Sequence, residues 1–184
     1  MKKSIFICSF LFFCFILCSF EKIETKIIEQ ENQELVQDYF TTYPQANVQK
    51  EPYLGILEIP TISLKRGFYM YSSENNTVDK NIQVISQDCL PGEACDFLLA
   101  SHSGTSAISF FKHLYQLKEN DMAFLYYKSQ KYSYQLIDIK HVMKHGTIQI
   151  VRVNEPRLIL TTCNKNDDNL QDIYYFRFIK KETI

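Results

Sequence analysis

The chain has 184 residues, 46% of them hydrophobic and 22% charged, which is enough for one globular domain with a real core. Twenty Lys and Arg against 21 Asp and Glu leave a formal net charge of -1. With no concentrated basic stripe, nucleic acid is excluded as the expected partner, because neutralising phosphates requires a surplus of cations.

At the N-terminus Lys2 and Lys3 precede the run IFICSFLFFCFILCSF, Ile5 to Phe20, in which only two serines interrupt the apolar residues. As a helix this run rises about 24 Å against a hydrocarbon core of about 30 Å, so length alone leaves a cleaved signal peptide and a retained anchor both open. No small-x-small cleavage site follows, since Glu21, Lys22 and Ile23 come next, and Cys18 lacks the small residue that precedes a lipidated cysteine. Residues 1–20 therefore read as an uncleaved signal anchor, and the lysine pair predicts that the rest of the chain lies outside the cell. Removing Lys2 and Lys3 leaves 18 basic against 21 acidic residues, a net of -3 for the external part. Residues 21–52 are polar and rich in Gln and Glu, with Ile23, Ile27, Leu35 and Val36 in partial helical spacing. They read as a solvated stem that spaces the domain from the bilayer.

Residues 53–184 form the predicted compact domain. It opens with YLGILEIPTISLKRGFY, where Gly55 and Pro60 punctuate two short strands. Further strands are predicted at Gln83 to Ser86, Phe97 to Ala100, Ala123 to Tyr127, Lys131 to Ile139, Thr147 to Val151, Leu158 to Thr162 and Ile173 to Ile179. One helix is predicted at Ser106 to Leu117, from the spacing of Ile108, Phe111, Leu114 and Tyr115. Many short strands with too few helices for βαβ crossovers point to an antiparallel barrel or sandwich.

Six cysteines occur: Cys8, Cys14 and Cys18 in the anchor, Cys89 and Cys95 around LPGEA, and Cys163 alone. An external compartment permits a disulfide between Cys89 and Cys95, and two unrelated thiols is the other reading. No spacing suits a metal site, and no cofactor is expected. Cys163 ends the stretch RLILTTC and is followed at once by the loop composition NKNDDN. An unpaired thiol outside the cell is an oxidation liability unless it is buried or useful, and a useful one needs a base, because a free thiol is only a few per cent ionised at neutral pH. Among His102, His113, His141 and His145, His102 stands out because it ends FLLASH and enters SGTS, leaving its strand as Cys163 leaves its own.

LLASHSGTSAISFFKHLYQLKENDMAFLYY, with LILTTC ending 61 residues after His102, resembles the sortases, the membrane-anchored cysteine transpeptidases of Gram-positive bacteria. The likeness runs from about Tyr53 to Ile184, and Ile159 stands where the family's nucleophile motif begins with Thr. The resemblance implies a mainly β fold, an eight-stranded barrel with one or two short helices. It also implies that Cys163 attacks the Thr–Gly bond of an LPXTG-like sorting signal on a surface protein. An amine of a cell-wall precursor or a pilin then resolves the thioacyl intermediate. His102 acts as general acid and base, and Thr162 helps hold substrate or the oxyanion. An arginine on the following strand completes the family's constellation. Here Arg177 is the choice if the loop is long, Gln171 fits by its place at the strand's start, and Arg152 and Arg157 are lesser substitutes. QDYFTTYP lacks the Asp-Pro-aromatic lid motif of pilin-polymerising members. Two other readings stand beside transfer: a catalytically impaired peptide-binding module, and a peptidase that only hydrolyses.

Overall fold

The computed structural model describes the backbone of residues 2–41, 51–144 and 154–184, and their side chains apart from those of residues 2–16 and 18. A long helix, α1 (Lys2–Phe40), precedes eight strands: β1 (Gly55–Ile59), β2 (Leu64–Phe68), β3 (Gln83–Val84), β4 (Asp96–Ala100), β5 (Met122–Tyr127), β6 (Gln130–Met143), β7 (Arg157–Cys163) and β8 (Leu170–Thr183). They form one sheet in the order β2-β1-β5-β6-β8-β7-β4-β3. A bridge between Phe68 and Ile82 ties its two edges, so the sheet curls into a nearly closed barrel. The expected strand at residues 147–151 and Arg152 lie outside the described residues.

Alternation along the strands sorts the residues. Phe97 and Leu99 of β4, Leu158 and Leu160 of β7, and Tyr174 and Phe176 of β8 fill the barrel. Leu98, Ile159, Ile173, Tyr175 and Val142 pack together on the outer face of the same strands. Among the described residues the strand pairs are antiparallel except β4 and β7, which run parallel, as does the Phe68–Ile82 bridge. This corrects the all-antiparallel expectation. The crossover that a parallel pair requires contains β5, β6 and the short turn segment before them.

The helix expected at Ser106 to Leu117 is instead a chain of turns ending in a 3-10 helix at Leu114–Gln116. Ser109, Lys112, Leu114, Gln116 and Leu117 all donate their backbone N–H to the residue three back. The buried positions Phe111, Leu114 and Leu117 recur every three residues, which suits 3-10 geometry better than the 3.6-residue turn.

The stem is not wholly solvated. Leu35 of α1 is buried with Tyr53, Ile56, Tyr69 and Tyr126, covering the outer face of β1 and β5. Asn32, only 2% exposed, fastens the helix: its amide donates to the Lys65 carbonyl (3.0 Å) and its oxygen accepts from Gly67 N–H (3.3 Å). Gly67 must be glycine, since a Cβ would strike the Tyr53 ring. The expected anchor, residues 1–20, lies within α1, its side chains mostly outside the described set; among the described residues no helix is long and apolar enough to cross a membrane.

Candidate active site

The parallel pairing of β4 with β7 builds the site. Its register sets Ala100 beside Thr161, so His102 and Cys163 each lie two residues beyond paired positions. Side-chain alternation continues the outer face of Leu98 and Ile159 toward both. The strand exits are stitched together: Thr162 donates its hydroxyl to the Ser101 carbonyl (2.7 Å), and Ser103 donates to the Cys163 carbonyl (2.7 Å). Cys163 is a free, exposed thiol.

His102, 40% exposed, holds Nε2 at 3.2 Å from the Asp79 carboxylate, itself 80% exposed. At such exposure the pair adds little stability, but it can orient the ring. With the proton on Nε2, the carboxylate leaves Nδ1 as the free acceptor. Nothing in the sequence singled out Asp79, which lies 23 residues upstream in a turn-rich connection.

The residues expected to supply the third role separate. The register of β7 with β8 pairs Cys163 with Gln171 and Arg157 with Arg177. Arg177 thus sits six strand positions from Cys163, roughly 20 Å away, and donates to Gln135 at 2.6 Å. Gln171 shares the face of Cys163 and donates from Nε2 to the Thr161 hydroxyl (2.6 Å). The six-residue connection 164–169 is too short to carry Arg177 to the rim. Arg157 is bound to Asp96 at 2.6 Å at the far end of β7. Thr162 is paired with Asp172 and turns inward, so its hydroxyl joins β7 to the exit of β4 rather than facing the rim.

A second cluster went unnoticed in the sequence. Asp172, 3% exposed, accepts from His141 Nδ1 (2.6 Å) and from Asn164 Nδ2 (2.7 Å). Asn164 follows the nucleophile candidate directly, and its own oxygen accepts the N–H groups of Asn166 (2.8 Å) and Asp167 (3.0 Å). The loop after Cys163 is thereby pinned to β8 and β6. Beneath it, burial first and Asp172 second raise the Tyr174 phenol above the ordinary tyrosine value. Across the rim, the Lys165 ammonium lies 3.6 Å from the Tyr115 ring centroid. Gln116 first, then Lys165, lower that phenol.

Cys89 and Cys95 form a disulfide. Its loop turns at Gly92 (φ 85°), against which the Tyr132 ring packs. Among the described residues no cluster of three or more His, Cys, Asp or Glu could hold a metal ion.

The sortase domain model matches residues 57–179, which span both strand exits. Sortase A of Bacillus anthracis is 22% identical over 150 residues, covering 82% of this chain and 70% of its own. Listeria monocytogenes sortase A superposes with a TM-score of 0.63 at 17% identity, over 73% of this chain and 92% of that one. A sortase D5 transpeptidase from Clostridium perfringens superposes with a TM-score of 0.65 at 15% identity, over 84% of this chain and 99% of that one. With more than half of its length matched by that domain, and the same barrel, the chain belongs to the sortase family, a family of cysteine transpeptidases.

Proposed function

We propose that this chain is a membrane-anchored transpeptidase that cleaves an LPXTG-like sorting signal between Thr and Gly and passes the acyl group to an amine of the cell wall or of a pilin. The observation that carries this reading is the pairing of β4 with β7, which brings the exits holding His102 and the free, exposed Cys163 to one rim. The Cys163 thiolate attacks the Thr carbonyl carbon, the bond to the Gly nitrogen breaks, and His102 protonates the departing amine. The incoming amine then attacks the thioester, gives its proton to His102, and the thiolate leaves. Gln171, opposite Cys163, supplies a neutral hydrogen-bond donor toward the oxyanion once its amide is released from Thr161. Residues 1–20 serve as the anchor, with the barrel on the extracellular side.

Gln171 in place of a cation favours a second reading, in which the groove binds the peptide but transfers it slowly or lets water take the acyl group. Incubating the protein with an LPXTG-type peptide, with and without a small amine, separates the outcomes. Transfer product supports the proposal, hydrolysis alone supports the peptidase reading, and no turnover supports the binding module.

A further inference from the structure

The way α1 crosses the barrel carries information about where the rim points. Tyr39 and Phe40 lie beside Tyr53, Tyr127 and Lys128, at the barrel end remote from Cys163. Toward its N-terminus the helix meets the opposite end: Thr25, Ile28 and Glu29 line a groove with Ser109, Phe110 and His113. That turn segment follows His102 directly, and its Phe111 N–H donates to the His102 carbonyl (3.0 Å). Glu29 also reaches Arg66 at 3.6 Å, and the Arg66 guanidinium stacks on Phe110 at 3.6 Å. Helix and rim are therefore fastened to each other where the helix heads toward the apolar run.

From Phe20, the last residue of that run, to Thr25 and Glu29 the continuous helix rises roughly 8–14 Å, while a headgroup layer is about 5–8 Å thick. A second observation points the same way. Phe20, Ile23 and Ile27 are 66%, 55% and 60% exposed. Spaced three and four apart, they form one apolar stripe on α1 beside the face that carries Asn32 and Leu35. Among the described residues no part of the barrel covers it.

We infer that α1 holds the catalytic rim toward the bilayer: the headgroup layer covers Phe20 and Ile23 at the foot of the stripe, and the barrel end with His102 and Cys163 faces the headgroups across a gap of less than about 10 Å. This rests on the anchoring and transpeptidase readings above. It means that the peptide bond to be cut and the accepting amine are presented close to the membrane, so partners tethered there have the advantage of a high effective concentration.

The test uses the full chain in phosphatidylcholine and phosphatidylglycerol vesicles, with Cys8, Cys14, Cys18 and Cys163 changed to Ser. A fluorophore is placed either at Lys112→Cys in the rim segment or at Lys128→Cys at the opposite end, with energy acceptors on the lipid headgroups. The two ends are roughly 20 Å apart, so transfer from position 112 should be at least about twofold more efficient. Equal or reversed efficiencies on floating vesicles overturn the orientation alone. Failure to float with the vesicles contradicts the anchoring reading and takes the orientation with it. In the unaltered catalytic background, seven helical residues inserted after Phe20 lift the rim by about 10 Å with little rotation. Transfer from a lipid-tailed LPXTG-type peptide should fall at least about tenfold, with the soluble peptide unaffected. An unchanged lipid-tailed rate overturns the inference. A soluble peptide that no variant turns over contradicts the transpeptidase reading, and energy transfer then decides the orientation by itself.

Discussion

The two ends of β7 make opposite use of the same strand. At its start the Arg157 guanidinium is held by Asp96 and lies over the Tyr175 ring, 5.4 Å from the centroid, while Arg177 opposite it is bound to Gln135. At its end the thiol is free and exposed, the facing residue is a neutral amide, and the histidine two residues past the neighbouring strand has one solvent-exposed carboxylate beside it. An ion pair and an amide partner lock the arginines at one end into the sheet; at the other the thiol is left for something else to engage. A rigid scaffold with its chemistry at a strand exit is the usual division of labour between elements and loops.

The largest expected difference between the two ends is in turnover. Cys163→Ala should lower acyl transfer by at least about 10³-fold, while Arg177→Ala stays within about twofold, both read from product formed per unit time. A large loss on Arg177→Ala would place catalysis at the wrong end of the strand. His102→Gln should cost about 10²–10⁴-fold, because it removes the proton donor and acceptor while keeping a similar shape. Gln171→Ala should lose about tenfold to 10²-fold in kcat if its amide serves the oxyanion, and Gln171→Arg should raise transfer above the parent rate. The smallest effects are structural. Reducing the Cys89–Cys95 bridge, which closes a short loop, should lower stability by about 2 kcal/mol in the chain-entropy picture, seen as a lower unfolding midpoint with little change in kcat. Asn32→Ala should cost about 1–3 kcal/mol, since it strips partners from the buried Gly67 N–H and the half-buried Lys65 carbonyl.

Much of this comparison was legible in the sequence. The strands announced themselves through β-branched and aromatic runs between turn residues, and FLLASH and RLILTTC marked both strand exits because apolar residues give way there to polar turns. What distance along the chain could not give was register. Arg177 looked eligible until the short 164–169 connection set Gln171 opposite Cys163. The parallel β4–β7 pair was hidden because β5 and β6 lie in its crossover, and helix counting assumes otherwise. Period three and period 3.6 are hard to tell apart over twelve residues, so the 3-10 turns after His102 read as a helix. Asp79, Asn164 and Asp172 gave no signal and His141 ranked below His102, because each is an ordinary polar residue until folding sets it beside its partner.

The most direct measurement is the intact mass of the protein during turnover of an LPXTG-type peptide without added amine, followed by mapping of the modified fragment. The account predicts a peptidyl thioester on Cys163, released by hydroxylamine and absent from Cys163→Ala. Turnover that persists in Cys163→Ala, or an adduct on any other residue, would contradict it.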